Sequence, residues 1–462
     1  MSDERIVRFT IVTSIVALAV AALSLRLAAP SEGVGARVLA TSVEAGFAVV
    51  QVQVMRTEKV LAFGLPDTRI ELRLDGQRVA QATTDGEGVA YARAPIKHGL
   101  QRVQVLDESG SVLAESTHTW ENSAACAEPT AWPPERERPS ATAIRVESEG
   151  SQPLAIEVAL LGDAIAPAFA TRSLLRVAEK ASGRPVEGAS VTIEADGASV
   201  APALLKTREG GIATFAITPS YHSVVLRVSV VANAHETRFM ASLPVAPAAG
   251  DLDIESWIAP RTVARGHARY ATGHRGAYLE VYRGDALVHA AALEFEKTGH
   301  GGSRGFLLPE LDAGLYWLFL STSPNGADAP PLTLRAQPIV VGQNTEPLAN
   351  AFTQCGKSMP SDRDDALVHA PRPLVRKKVI ADGLVSRGAV IRTRSTNAKR
   401  IAVAALIAAI VLDLAVVFLL GRKSRESLDA TIARSSRWGL AAGVGLAALL
   451  LGVIASLIAG AD

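Results

Sequence analysis

Gly183-Arg184-Pro185-Val186-Glu187-Gly188-Ala189-Ser190-Val191-Thr192-Ile193-Glu194 is the stretch on which the reading of this chain turns. Gly183, Pro185 and Gly188 punctuate the approach to a strand. Val191 and Ile193 then alternate with Thr192 and Glu194, the period of two that marks a half-buried strand. Thr207-Arg208-Glu209-Gly210-Gly211-Ile212-Ala213 follows and repeats the form of Thr84-Asp85-Gly86-Glu87-Gly88-Val89-Ala90 earlier in the chain. Val224, Leu226, Val228 and Val230 supply one more inward-facing row. Residues 153–246 therefore predict a β-sandwich.

The same pattern extends to both sides. In residues 44–121, Ile70, Leu72 and Leu74 alternate with Arg69, Glu71 and Arg73, and Asp75-Gly76 signals a hairpin. In residues 252–343, Leu279 and Val281 run into Arg283-Gly284-Asp285, and Leu315–Leu320 is apolar on both faces, as a central strand would be. Pro129, Pro133, Pro134 and Pro139 among alternating charges make residues 122–152 a linker. Residues 344–398 read as a second linker, loop-like to 373, with a basic juxtamembrane hairpin from Leu374–Ile380 and Leu384–Arg394. The hexapeptide Asp285–Ala290 recurs at Asp365–Ala370 with unmatched flanks, and is read as chance.

The G-x-P-V-x-G-A-x-V approach and the T-x-x-x-G-x-A turn resemble bacterial immunoglobulin-like modules of the macroglobulin or carboxypeptidase-regulatory type. The resemblance covers the second module best and the first more loosely. It implies a sandwich fold and says little about function, because such sandwiches serve many roles.

Three apolar runs predict membrane spans. Phe9–Leu25 follows Arg5 and Arg8, giving an anchor over residues 1–30; a signal peptide cleaved after Val38-Leu39-Ala40 is the alternative. Ile401–Leu420, broken by Asp413, and the uncharged Trp438–Gly460 form a helical hairpin within residues 399–462. The basic connector Arg422–Arg437 places itself in the cytoplasm and residues 30–398 on the extracytoplasmic, periplasmic side of the inner membrane. The basic flank from Arg372 to Arg400 argues for the opposite orientation. The expected fold class is mainly β, with tandem immunoglobulin-like β-sandwiches and three transmembrane α-helices.

Candidate chemistry is sparse. A formal net charge of +1 gives no global field for nucleic acid, so none is expected as a partner. Gly301-Gly302-Ser303-Arg304-Gly305 fits a nucleophile elbow but lacks the strand–turn–helix context, and a glycine-rich turn is the better account. Cys355-Gly356-Lys357-Ser358 begins like the thioester of complete macroglobulins, yet the Glu and Gln that build it are missing. Cys126 and Cys355, one in each linker, read as a disulfide in an oxidising compartment, with two free thiols as the alternative. The nine histidines show no metal spacing, and no catalytic, cofactor or metal residue is assigned.

Asp413 is costly inside a membrane helix and is expected to bond a neighbouring helix or a partner, while Gly439 and Gly443 offer a close-packing face. The functional expectation is a non-enzymatic adhesion, scaffolding or envelope-assembly protein, with the lipid bilayer and another membrane or envelope protein as partners. The alternative is a sensory or accessory subunit engaged through Asp413.

Overall fold

The computed structural model describes most of residues 33–124, Cys126, 143–144, most of 153–324 and 334–384, and helical residues within 12–23 and 397–418. These fall into two compact units. Ala36–Val54 and Gly64–Ala381 form the larger, and Met1–Gly35, Met55–Phe63 and Asp382–Asp462 the smaller.

The larger unit holds the second and third sandwiches and most of the first. In the first, Phe47–Glu58 is flanked by Gly33–Ala40 and Leu61–Gly64, and also pairs with Val89–Pro95. The facing sheet runs Gln77–Thr83, Arg69–Leu74, Gly99–Asp107, Val112–Trp120. Ile70, Leu72 and Leu74 are buried, as are Val52, Val54, Val103 and Val105. The Asp75-Gly76 turn has both residues at positive φ, 51° and 79°, matching the twist of its strands.

The second sandwich pairs Leu154–Leu160, Thr171–Glu179 and Ile212–Pro219 in one sheet with Ser190–Asp196, Val224–Ala232 and His235–Leu243 in the other. Val191, Ile193, Leu226, Val228 and Val230 all sit in its core. The third sandwich sets Ala264–Tyr270 and Gly301–Leu308 against Leu334–Val341, Gly314–Ser321, Gly276–Arg283 and Ala286–Glu294. Gly314–Ser321 is central in its sheet, with Leu318 and Leu320 in the sandwich core. Its other face, Trp317 and Phe319, packs on a separate cluster.

That separate cluster comes from a segment read as loop. Glu346–Gln354 and Arg363–Val368 are helices, and Lys378–Asp382 is a strand at the edge of the first sandwich's sheet beside Gly33–Ala40. Leu348, Phe352, Ala366, Leu367 and Val368 join Val49 of the first sandwich, Leu161 and Leu174 of the second, and Tyr282, Trp317 and Phe319 of the third in one buried cluster. The expected loop is thus replaced by a buttress, because the helices bury apolar side chains that a loop would leave in water; residues 385–394 of the expected basic hairpin lie outside the described residues. The glycine-rich stretch Gly301–Gly305 is also strand, where a turn was expected.

Within the smaller unit, Ala17 and Ala21 of the first helical stretch pack on Ala402, Leu406, Ala409 and Ile410 of the second. Among the described residues no helix is long and apolar enough to cross a membrane, which overturns the expected transmembrane helices. Asp413, Gly439, Gly443 and the whole run Trp438–Gly460 lie outside the described residues.

Candidate functional site

Alternation along Gly276–Arg283 sends Leu279 and Val281 into the third sandwich and leaves Glu280 and Tyr282 on the opposite face. On Phe47–Glu58 the same rule puts Gln51 on the face opposite Val50 and Val52, directly across from Tyr91. Lys377, one residue before the edge strand Lys378–Asp382, reaches between these two faces. Its ammonium donates to Gln51 Oε1 at 2.6 Å and to the carbonyl of Pro324 at 3.2 Å, and bonds the Glu280 carboxylate. Three ammonium donors therefore meet three acceptors. Tyr282 donates to Glu280 Oε2 at 2.9 Å, Tyr91 to Oε1 at 3.3 Å, and Gln51 Nε2 to Pro324 at 2.7 Å. The side chains of Lys377 and Glu280 are 1% and 0% exposed. Burial, helped by the charge of Glu280, holds the Tyr91 phenol protonated well above its ordinary range.

A second contact joins the buttress to the second sandwich. Asp362 caps the helix Arg363–Val368 by accepting from the N–H groups of Asp364 and Asp365. Arg208 donates to Asp362 at 3.0 Å and to Asp364 at 2.6 Å, and Arg172 to Asp364 at 2.6 Å. Burial pushes the Asp362 carboxyl up, but the Asp365 N–H and the Arg208 guanidinium outweigh it and hold it below the usual carboxylate range. At the end of this helix, His369 Nδ1 lies 2.9 Å from Asp365 Oδ1 and 3.0 Å from the Asp365 carbonyl, and Nε2 lies 3.8 Å from Glu157. The Asp365 side chain does most, and Glu157 next, to push His369 up to about 10 against the opposing effect of burial.

Two further ties complete the junction. Asp285 accepts from Ser42 at 2.8 Å and from Ser123 and the Ala124 N–H at 2.9 Å each, fixing the first sandwich to the third. Cys126 and Cys355 form a disulfide with a Cα–Cα distance of 5.5 Å, so the linker is tied to the end of the helix Glu346–Gln354.

The residues singled out in sequence are distributed accordingly. Cys355 is consumed in the disulfide and has no thiol for a thioester. Ser303 sits mid-strand, paired with Arg269 and Glu296, where a nucleophile elbow would need a sharp turn. Among the described residues no group of three or more His, Cys, Asp or Glu is placed to hold a metal. Sequence reasoning missed Gln51, Glu280 and Lys377. The signal for Glu280 was a lone acid inside the otherwise apolar run Ala277–Tyr282.

No family model matches the chain, and no curated protein matches it in sequence. Among solved structures it is similar to a Salmonella α2-macroglobulin mutant at 12% identity and a TM-score of 0.17, covering 68% of this chain and 24% of that one. It is similar to the Escherichia coli adhesin FdeC at 17% identity and a TM-score of 0.17, covering 68% and 98%. Invasin, a bacterial integrin-binding protein, matches at 12% identity and a TM-score of 0.17, covering 67% and 60%. The chain thus spans about a quarter of the macroglobulin's length. The macroglobulin among these neighbours is of the kind that the sequence motifs resemble. At such TM-scores the likeness carries no functional argument.

Proposed function

We propose that this chain is a non-catalytic extracytoplasmic scaffold or adhesion protein, whose three sandwiches are held as one stiff body that presents its outer faces to a protein partner. The observation that carries this reading is the buttress of residues 346–382, which bonds all three sandwiches through Lys377, Asp362, Asp364 and Cys355. Side chains able to do chemistry are spent on that junction: Lys377 and Glu280 on each other, His369 on Asp365, and Cys355 on Cys126. The disulfide supports an oxidising, extracytoplasmic compartment. The outer faces remain available, with Leu204, Tyr221 and Met240 of the second sandwich 74%, 70% and 62% exposed.

Two measurements test this. Alkylation of thiols in intact cells before lysis should leave Cys126 and Cys355 unlabelled until a reductant is added; labelling without reductant would place the chain in a reducing compartment. A photo-crosslinking residue at Leu204, Tyr221 or Met240 should trap one discrete protein in cells, whereas one at the buried Leu226 should trap none. Absence of adducts at all three exposed positions would remove the adhesion and scaffold reading.

A further inference from the structure

The Lys377 site, which ties the first sandwich to the third, also holds the components of an amide-forming reaction. A buried primary amine contacts a carboxamide oxygen and a carboxylate at once. The 2.6 Å contact from Nζ to Gln51 Oε1, added to a C=O bond of about 1.23 Å, bounds the distance from Nζ to Gln51 Cδ at about 3.8 Å. Reacting atoms in a near-attack arrangement lie about 3–3.5 Å apart, so a small rotation of the lysine stem suffices. Gln51 cannot turn freely away, because its Nε2 donates to the Pro324 carbonyl at 2.7 Å. Glu280 is held on the amine by Tyr91 and Tyr282, and both side chains of the pair are buried from bulk solvent.

We propose that Lys377 and Gln51 condense to an intramolecular isopeptide bond, with Glu280 as the catalytic acid and base. Glu280 takes a proton from the Lys377 ammonium, and the neutral amine attacks Gln51 Cδ. The Nζ–Cδ bond forms, the Cδ–Nε2 bond breaks, and Glu280 passes protons from Nζ to the departing nitrogen. One ammonium ion leaves, and Glu280 ends as the carboxylate it began. No oxidant, cofactor or external nucleophile enters. The product staples Gln51 of the first sandwich to Lys377, one residue before the edge strand Lys378–Asp382. It makes covalent the junction on which the proposed scaffold role rests, but it is a separate property: the role stands on non-covalent contacts if the bond is absent.

Intact-mass measurement of the reduced, denatured full chain tests the bond directly. The expected mass falls below that of the sequence by one ammonia, and a tryptic digest contains a branched peptide joining Gln51 to Lys377. Glu280→Gln keeps the shape and removes the base, so its chain should have the uncondensed mass while circular dichroism stays that of the native fold. Lys377→Arg should also have the uncondensed mass. A wild-type chain at the full sequence mass overturns the proposal. A loss of one water with a branch at Glu280 overturns the assignment of Gln51 as acceptor. Condensation persisting in Glu280→Gln overturns the role of Glu280.

Discussion

Thr84 in the first sandwich and Thr207 in the second make the same pair of hydrogen bonds. Thr84 Oγ1 accepts from the Thr68 N–H at 2.9 Å and donates to the Leu65 carbonyl at 2.7 Å. Thr207 Oγ1 accepts from the Ala189 N–H at 2.9 Å and donates to the Val186 carbonyl at 2.7 Å. The glycine four residues on is matched as well. Gly88 and Gly211 have φ of 78° and 71°, and a Cβ at either would strike a valine carbonyl, Val54 at 2.5 Å or Val177 at 2.2 Å. The repeated T-x-x-x-G is therefore a staple between strands, which explains why it marks fold and not function.

Both hydroxyls are buried, so their removal leaves an N–H and a carbonyl unpaired. Thr84→Val and Thr207→Val should each cost about 1–3 kcal/mol in denaturant unfolding, and the two losses should be similar. Thr→Ser at either position keeps the hydroxyl and should recover most of the loss. A Thr207→Val chain as stable as wild type would show that the shared geometry carries no energy.

Much of the sandwich architecture was legible because it rests on local chemistry: alternation at Ile70–Leu74, the Asp75-Gly76 turn, the doubly apolar Leu315–Leu320. The buttress was not legible in the same way. Asp-Ala-Leu-Val-His-Ala begins a strand at Ala286 and forms helix at Arg363–Val368, so its local preference decides nothing. The neighbours decide: Gly284 turns the chain back in the first case, and Asp362 caps a helix in the second. The helix Glu346–Gln354 did announce itself, with Pro347 in its first turn and Gly356 at φ 63° just past its end. Its burial partners come from sandwiches far away in sequence, which no local pattern reveals. The Lys377–Glu280 pair could not be read at all, since nothing local joins two residues so far apart in sequence.

His369 gives a pH dependence with a definite sign. Its pKa is raised, from an ordinary 6.5 to about 10, so the folded chain keeps a proton that the unfolded chain has released between those values. The stabilisation is complete below about pH 6.5 and is lost as pH rises toward 10, with a slope of at most about 1.4 kcal/mol per pH unit. Urea midpoints should fall across that window in wild type and fall less steeply in His369→Gln. Equal slopes in both chains would remove His369 as the cause.

Breaking one half of the Lys377–Glu280 pair should cost more than removing both. Measured against Lys377→Arg, which keeps a cation and forms no isopeptide bond, Lys377→Met leaves a buried carboxylate without its cation and should lose about 3–5 kcal/mol. Lys377→Met with Glu280→Leu should recover most of that loss, because apolar groups of similar volume need no partner. A Lys377→Met chain within about 1 kcal/mol of Lys377→Arg would mean that the pair behaves like a solvated surface contact.

The claim that the three sandwiches move as one body is tested most directly by pulsed electron paramagnetic resonance. Genetically encoded spin labels at the exposed Thr117 of the first sandwich and Glu194 of the second leave the native cysteines untouched. The account predicts one narrow distance distribution in the oxidised wild-type chain, and a broad one when Lys377→Met is combined with reduction of the disulfide. A broad or multi-peaked distribution in the oxidised wild-type chain would contradict it.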